Sequence, residues 1–321
     1  MTTIPGPAPT LPRPTATDAI RRSFDNSIAN WPLLLIRIAE TVLFGMIAMA
    51  GVLAVVVPLA VSAGLSHFDR QDATATAEAV LRLIAAHWML LIWSLVIALV
   101  LVVVFALLHS FVIAGTTRVL VDGDRAAGAS PSARSAYRQF TVDRWVDGGR
   151  DSWWAIFWIY NLAYGSAAVV VLVPALLVLV VMLALHGSVA AIVAGCIGLV
   201  LLFFLGAVLA MLTGIWCQKA IVVCVVRQVD GREALRIAWQ EGRRDLGRHL
   251  TVAFVILVIT IGGIGVISTF SMLVTIPGTA VPATAMFFLP LRMLVSLVES
   301  VYGAAAGNLG LAAFAAITES R

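Results

Sequence analysis

The stretch Ser152–Gln218, SWWAIFWIYNLAYGSAAVVVLVPALLVLVVMLALHGSVAAIVAGCIGLVLLFFLGAVLAMLTGIWCQ, runs for 67 residues without one Asp, Glu, Lys or Arg. A helix that crosses a bilayer needs about 20 predominantly apolar residues. The stretch therefore holds two such helices, and His186-Gly187-Ser188 is the natural break between them. Four more charge-free runs flank it: Thr41–Phe68, Leu83–Thr117, Leu250–Leu291 and Ser300–Thr318. Together they predict six membrane-spanning helices near 31–64, 83–117, 152–185, 188–226, 249–275 and 285–318. Several exceed 30 residues, about 45 Å of helix, so they must tilt, kink at Pro58 or Pro174, or project beyond the lipid.

Composition agrees with this reading. Of 321 residues, 61% are hydrophobic and 12% charged, and the mean hydropathy is +1.01. Soluble domains carry about 25% charged residues, so a water-facing fold could not hide this much apolar surface. The expected fold class is all-α, a polytopic bundle of six transmembrane helices. The net charge of +4 is too mild and too dispersed for a nucleic-acid partner. Its distribution carries information of a different kind. With the N-terminus inside, 16 basic residues fall in inner segments, against Arg70 and Arg82 outside. The positive-inside rule then places both termini in the cytoplasm. Twenty of the 21 basic residues are arginine, and Ala and Val abound, a composition that points to a GC-rich bacterial genome; the expected location is the bacterial inner membrane.

Residues 1–20 contain five prolines among Thr and Ala, and read as a disordered cytoplasmic tail without a cleaved signal peptide. The remainder, 21–321, reads as one membrane domain with hairpins at about 31–117, 152–226 and 249–318. Cys196, Cys217 and Cys224 suit neither a disulfide framework nor a paired metal motif, and read as packing residues.

An internal repeat organises the chain. Trp145-Val146-Asp147-Gly148-Gly149-Arg150-Asp151 aligns with Trp239-Gln240-Glu241-Gly242-Arg243-Arg244-Asp245, sharing Trp, an acid, Gly, Arg and Asp at identical offsets. Val121-Asp122-Gly123 and Val229-Asp230-Gly231 precede the two copies, and Phe24–Asn30 is a fainter third. Each copy stands before an odd-numbered span, so the unit is an amphipathic segment, a helix out and a helix back, repeated in one orientation. Residues 133–150 and 232–248 are expected to be interfacial helices, with Trp145 and Trp239 in equivalent places at headgroup level and arginines meeting anionic lipid.

This hairpin repetition, with its Trp-x-acid-Gly motif, loosely resembles bacterial six-helix membrane proteins of the kind fused to some glycerophosphodiester phosphodiesterases. The resemblance covers most of residues 20–318 and implies the fold alone, because the hydrolase half has no counterpart here. Asp122-Gly123 with Asp143 and Asp147 is similar to the metal-binding pattern of membrane phosphatidyltransferases. It departs at Ala127, Ala136, Phe140 and Arg144, where that pattern needs Arg, Gly and two aspartates.

No HExxH, Walker A, GxSxG or strand-borne GxGxxG motif occurs. Glycines such as Gly303 and Gly307, and Gly262, Gly263 and Gly265, read as packing faces. The polar groups at membrane depth carry more information. Glu40, His109, Lys219 and Asn308 each lie about 12–15 Å from the inner end of their helix and form a candidate layer. Arg37 is near enough to the surface to snorkel, and His87 stands beside Trp88 near the outer interface. Pairing of Glu40 with Lys219, directly or through His109 or Asn308, is the expected relief of buried charge. The expected function is a non-catalytic scaffold or accessory factor of the cell envelope with no enzyme activity, metal or cofactor, its partners being membrane lipids and other membrane proteins. A transporter or channel built on the polar layer is the alternative.

Overall fold

The computed structural model describes residues 15–63, 88–128, 133–184, 188–280 and 285–318. Among these residues all regular structure is helical: α1 (Ala16–Ala29), α2 (Pro32–Ala63), α3 (Trp88–Ala127), α4 (Val142–Ala184), α5 (Val189–Arg227), α6 (Gly231–Arg244), α7 (Leu246–Ala280) and α8 (Ala285–Ile317), with one 3-10 turn at Arg134–Tyr137. Six of them, α2–α5, α7 and α8, are long and apolar enough to cross a membrane. The protein is an all-α, multi-pass membrane protein. Residues 1–14 of the expected tail, His87 and the break at His186-Gly187 lie outside the described residues. The chain divides into two compact units, Met1–Leu35 with Ser110–Arg321, and Ile36–His109.

The N-terminal helix begins inside the segment expected to be tail. Thr15 caps it, its hydroxyl accepting from the Asp18 N–H at 3.2 Å while the Asp18 carboxylate accepts from the Thr15 N–H at 3.2 Å. The Thr15 hydroxyl, which also donates to the Asp18 carboxylate at 2.6 Å, and then the Thr15 N–H hold that carboxyl below its ordinary pKa. Asn30 closes α1 through its N–H to the Asn26 carbonyl, and Pro32, which cannot continue the hydrogen-bond ladder, starts α2 afresh. In α6, Asp230 caps the start by accepting from the Glu233 N–H at 2.9 Å, and Asp245 caps the end.

The repeat alignment puts Asn30, Asp151 and Asp245 at one register. Two of these three positions end a helix. The middle copy does not, so the expected interfacial helix over 133–150 is corrected to a single 3-10 turn followed by α4, which runs unbroken from Val142 through Asp151 into the span. The difference lies just downstream of the shared register. Pro32 comes soon after Asn30 and Gly247 soon after Asp245, whereas Asp151 leads into Ser152-Trp153-Trp154, which carries the helix on.

Burial in the larger unit is graded along the helices. Leu172 and Leu176 on α4, Phe203 and Phe204 on α5, and Phe270 and Leu273 on α7 are exposed, as suits side chains that meet lipid. Ile221–Val225 on α5, Val252 on α7, and Leu311–Phe314 on α8 are buried against Ala19 of α1 and Ala234 and Leu235 of α6. The core of this unit therefore sits at the end that α1 and α6 cover. Exposed Trp31, Trp154, Trp158 and Trp239 mark the border between the two zones, as an aromatic belt does.

Candidate functional site

Three polar clusters carry the chemistry of the described residues. The first lies in the Ile36–His109 unit. Glu40 on α2 is buried, yet its carboxylate accepts from Arg37 Nη1 at 2.6 Å through Oε2, and Oε1 stands 2.7 Å from Nδ1 of His109 on α3. Arg37 and His109 are 3.4 Å apart, so the three groups form a closed triangle. Phe44 and Phe105 stack beneath it at 4.4 Å between centroids, joining the same two helices one turn further on. Arg37, which the sequence suggests as a snorkelling residue, instead lies one turn from Glu40 and neutralises it.

The second cluster joins α5, α6 and the C-terminal end of α8. Lys219, 3% exposed, donates to Glu241 Oε2 at 2.8 Å and to the Thr318 hydroxyl at 2.7 Å. Thr318 passes the bond on to the Phe314 carbonyl at 2.6 Å. The second oxygen of Glu241 pairs with Arg227. Close by in sequence, Asp245 holds Arg248 at 2.9 Å, and its carbonyl accepts from His249 Nδ1 at 2.9 Å. Each charge is met inside its own unit, Glu40 by Arg37 and His109 and Lys219 by Glu241 and Thr318. Asn308 is buried on α8, with Oδ1 lacking a hydrogen-bond partner.

The repeat motif supplies Glu241, although sequence reasoning assigned it no partner. Its counterpart Asp147 has a different setting. With Arg118, Asp122, Thr141, Asp143, Arg144, Gly148 and Asp151 it lines a polar cleft of about 310 Å³, where Arg118 bonds Asp122 at 3.0 Å. The aspartates of the phosphatidyltransferase-like pattern therefore do share one cleft. Among the described residues, however, no group of three His, Cys, Asp or Glu side chains is placed to hold a metal ion.

The two motif tryptophans do not take the equivalent places expected of them. Trp145 packs over Gly115, where a Cβ would come within 2.8 Å of the indole, and meets Phe111 edge-to-face at 5.5 Å. Trp239 is exposed, edge-on to Trp216 at 6.1 Å, with the Arg243 guanidinium 5.9 Å from its ring centroid. Nor do the shared glycines share a cause. A Cβ on Gly148 would come within 2.3 Å of Arg118 Cβ, while Gly242 faces open space. Arg150 and Arg244 are both exposed.

A third cluster was invisible in the sequence. Asn30 Oδ1 accepts from the N–H groups of Gln139 and Phe140, each at 2.9 Å, and its amide donates to the Tyr137 carbonyl at 2.8 Å. Asn26 donates to the Leu120 carbonyl at 2.7 Å. Arg22 reinforces the joint through Asp124 at 2.8 Å. The faint N-terminal copy of the repeat thus latches the extended strap Arg138–Thr141 and the end of α3, and Gly123 leaves room for it: a Cβ there would sit 2.6 Å from Asn26 Oδ1. Burial also pushes the Tyr137 phenol above its ordinary pKa.

Comparison with known proteins finds no match. No family model, no curated protein and no solved structure resembles the chain closely enough to count. The clusters themselves are then the basis for a functional reading.

Proposed function

We propose that this chain is a non-catalytic scaffold or accessory protein of the bacterial inner membrane, with both termini cytoplasmic and with lipids and other membrane proteins as its partners. The observation that carries the proposal is the closure of the buried charges. Glu40 is satisfied by Arg37 and His109, and Lys219 by Glu241 and Thr318, in direct contacts of 2.6–2.8 Å. A transport site must present polar groups to a passing solute, whereas these groups are spent on one another. The extended joints made by α1, the strap and α6 give rigid surfaces at the headgroup border, which suits a protein that holds others.

A transporter is favoured by one observation. His109 keeps its side chain 32% exposed while holding Glu40, the point at which a proton or solute would meet the pair in a transporter. Complementation separates the two readings. Under the scaffold proposal a Glu40→Gln, His109→Gln variant that inserts normally restores the phenotype of a deletion strain. A variant that inserts normally yet fails to restore it would overturn the proposal in favour of transport.

A further inference from the structure

We propose that a slot between α5 and α6 holds one acyl chain of an anionic phospholipid, with its phosphate on Arg236 and Arg243. The slot has a volume of about 360 Å³ and is walled by Trp216, Leu235, Arg236 and Trp239. Three of these walls are hydrocarbon or indole, and the fourth is a guanidinium. Such a lining repels a polar solute along its length and attracts an anion at one end. The walls are held in place: Trp216 Nε1 donates to the Leu235 carbonyl at 3.1 Å, which ties the span to the amphipathic helix, and Trp216 meets Trp239 edge-on at 6.1 Å between centroids.

The position selects the occupant. Trp216 lies about one turn beyond the lipid-exposed run of α5 that ends at Leu212, and Trp239, which also lines the slot, is exposed. The slot therefore opens onto bilayer hydrocarbon at the aromatic border, where a lipid is always at hand. Charge then selects among lipids. Arg232, Arg236, Arg243 and Arg244 are all exposed on α6, while of its two carboxylates Glu241 is turned inward to Lys219 and Arg227. Glu233 engages Arg236 through one Nη at 2.6 Å, which leaves the other guanidinium donors for a phosphate. Arg243, stacked over Trp239, is held at the rim of the slot. The proposal is independent of the choice between scaffold and transporter.

Brominated phosphatidylglycerol and brominated phosphatidylcholine, added to the full-length protein in detergent micelles, provide the test by their quenching of tryptophan fluorescence. Phosphatidylglycerol should reach half-maximal quenching at about tenfold lower mole fraction. Trp239→Phe should remove most of the saturable quenching. Arg236→Gln with Arg243→Gln should abolish the preference, and Glu233→Gln, which frees Arg236, should increase it severalfold. Equal quenching by the two lipids would overturn the proposal. So would an equal loss of preference in Arg232→Gln with Arg244→Gln, since that would reveal diffuse surface charge in place of a slot. The four arginines are exposed, so unchanged unfolding midpoints should accompany the arginine variants.

Discussion

Glu241 neutralises two cations at once, and its removal strands both. Glu241→Gln should cost about 3–5 kcal/mol in unfolding measured in mixed micelles, the usual scale for breaking a buried pair from one side. Lys219→Met with Glu241→Gln should cost clearly less than the sum of the single changes, and additive losses would contradict the pairing. Asn30→Ala leaves the Gln139 and Phe140 N–H groups without an acceptor, and should cost roughly 2–4 kcal/mol by the same measurement. A loss under 1 kcal/mol would show the strap to be held elsewhere. At this scale the sequence identifies which groups are expensive but not which groups they meet. Lys219 and Glu40 stand out as charges in apolar runs, yet the partner of Lys219 comes from a helix that folds back against α5, and no spacing in the chain encodes that return. Arg37 was legible as a partner for Glu40 through its i,i+3 offset, but depth alone directed the pairing toward Lys219.

Helices that share a motif need not share a fold. α6 is legible as the amphipathic segment expected over 232–248, and the structure adds Asp230 as the cap that starts it. The middle copy has the same letters at Trp145–Asp151, and its fate is decided by Ser152-Trp153-Trp154, where neither proline nor glycine interrupts α4. Two glycines test the account of α6. A Cβ on Gly231 would meet the Ala155 carbonyl at 2.6 Å, so Gly231→Ala should lower the thermal midpoint by prying α6 from α4. Gly242 faces open space within the same helix, so Gly242→Ala should leave the midpoint unchanged or raise it, an effect of up to about 1 kcal/mol. The reverse order would mean that α6 does not pack as described.

For the whole molecule, the six spans were legible because length and apolarity alone decide them. Which parts of the spans face protein was not. Residues 217–226 and 304–317 read much like the lipid-exposed stretches that precede them, and a helix apolar on all sides has no periodicity to orient it. Reporter fusions after Gly187 and Thr279 should report the outer side, and those after Gly128 and the C-terminus the inner side. An inner Gly187 would reverse the topology. The central claim, that the buried charges are closed upon one another and not open to water, has a native probe. Cys217 lies two residues before Lys219 and Cys224 about a turn and a half after it along α5, and each is 1% exposed. In a Cys196→Ala background, with Ser110→Cys added beside His109, a small membrane-impermeant maleimide is applied to sealed vesicles of either orientation. The account predicts that all three thiols stay unmodified until detergent unfolding releases them. Rapid labelling of Cys217 or of the position-110 thiol from either side would expose a water-filled path to the charged clusters and contradict it.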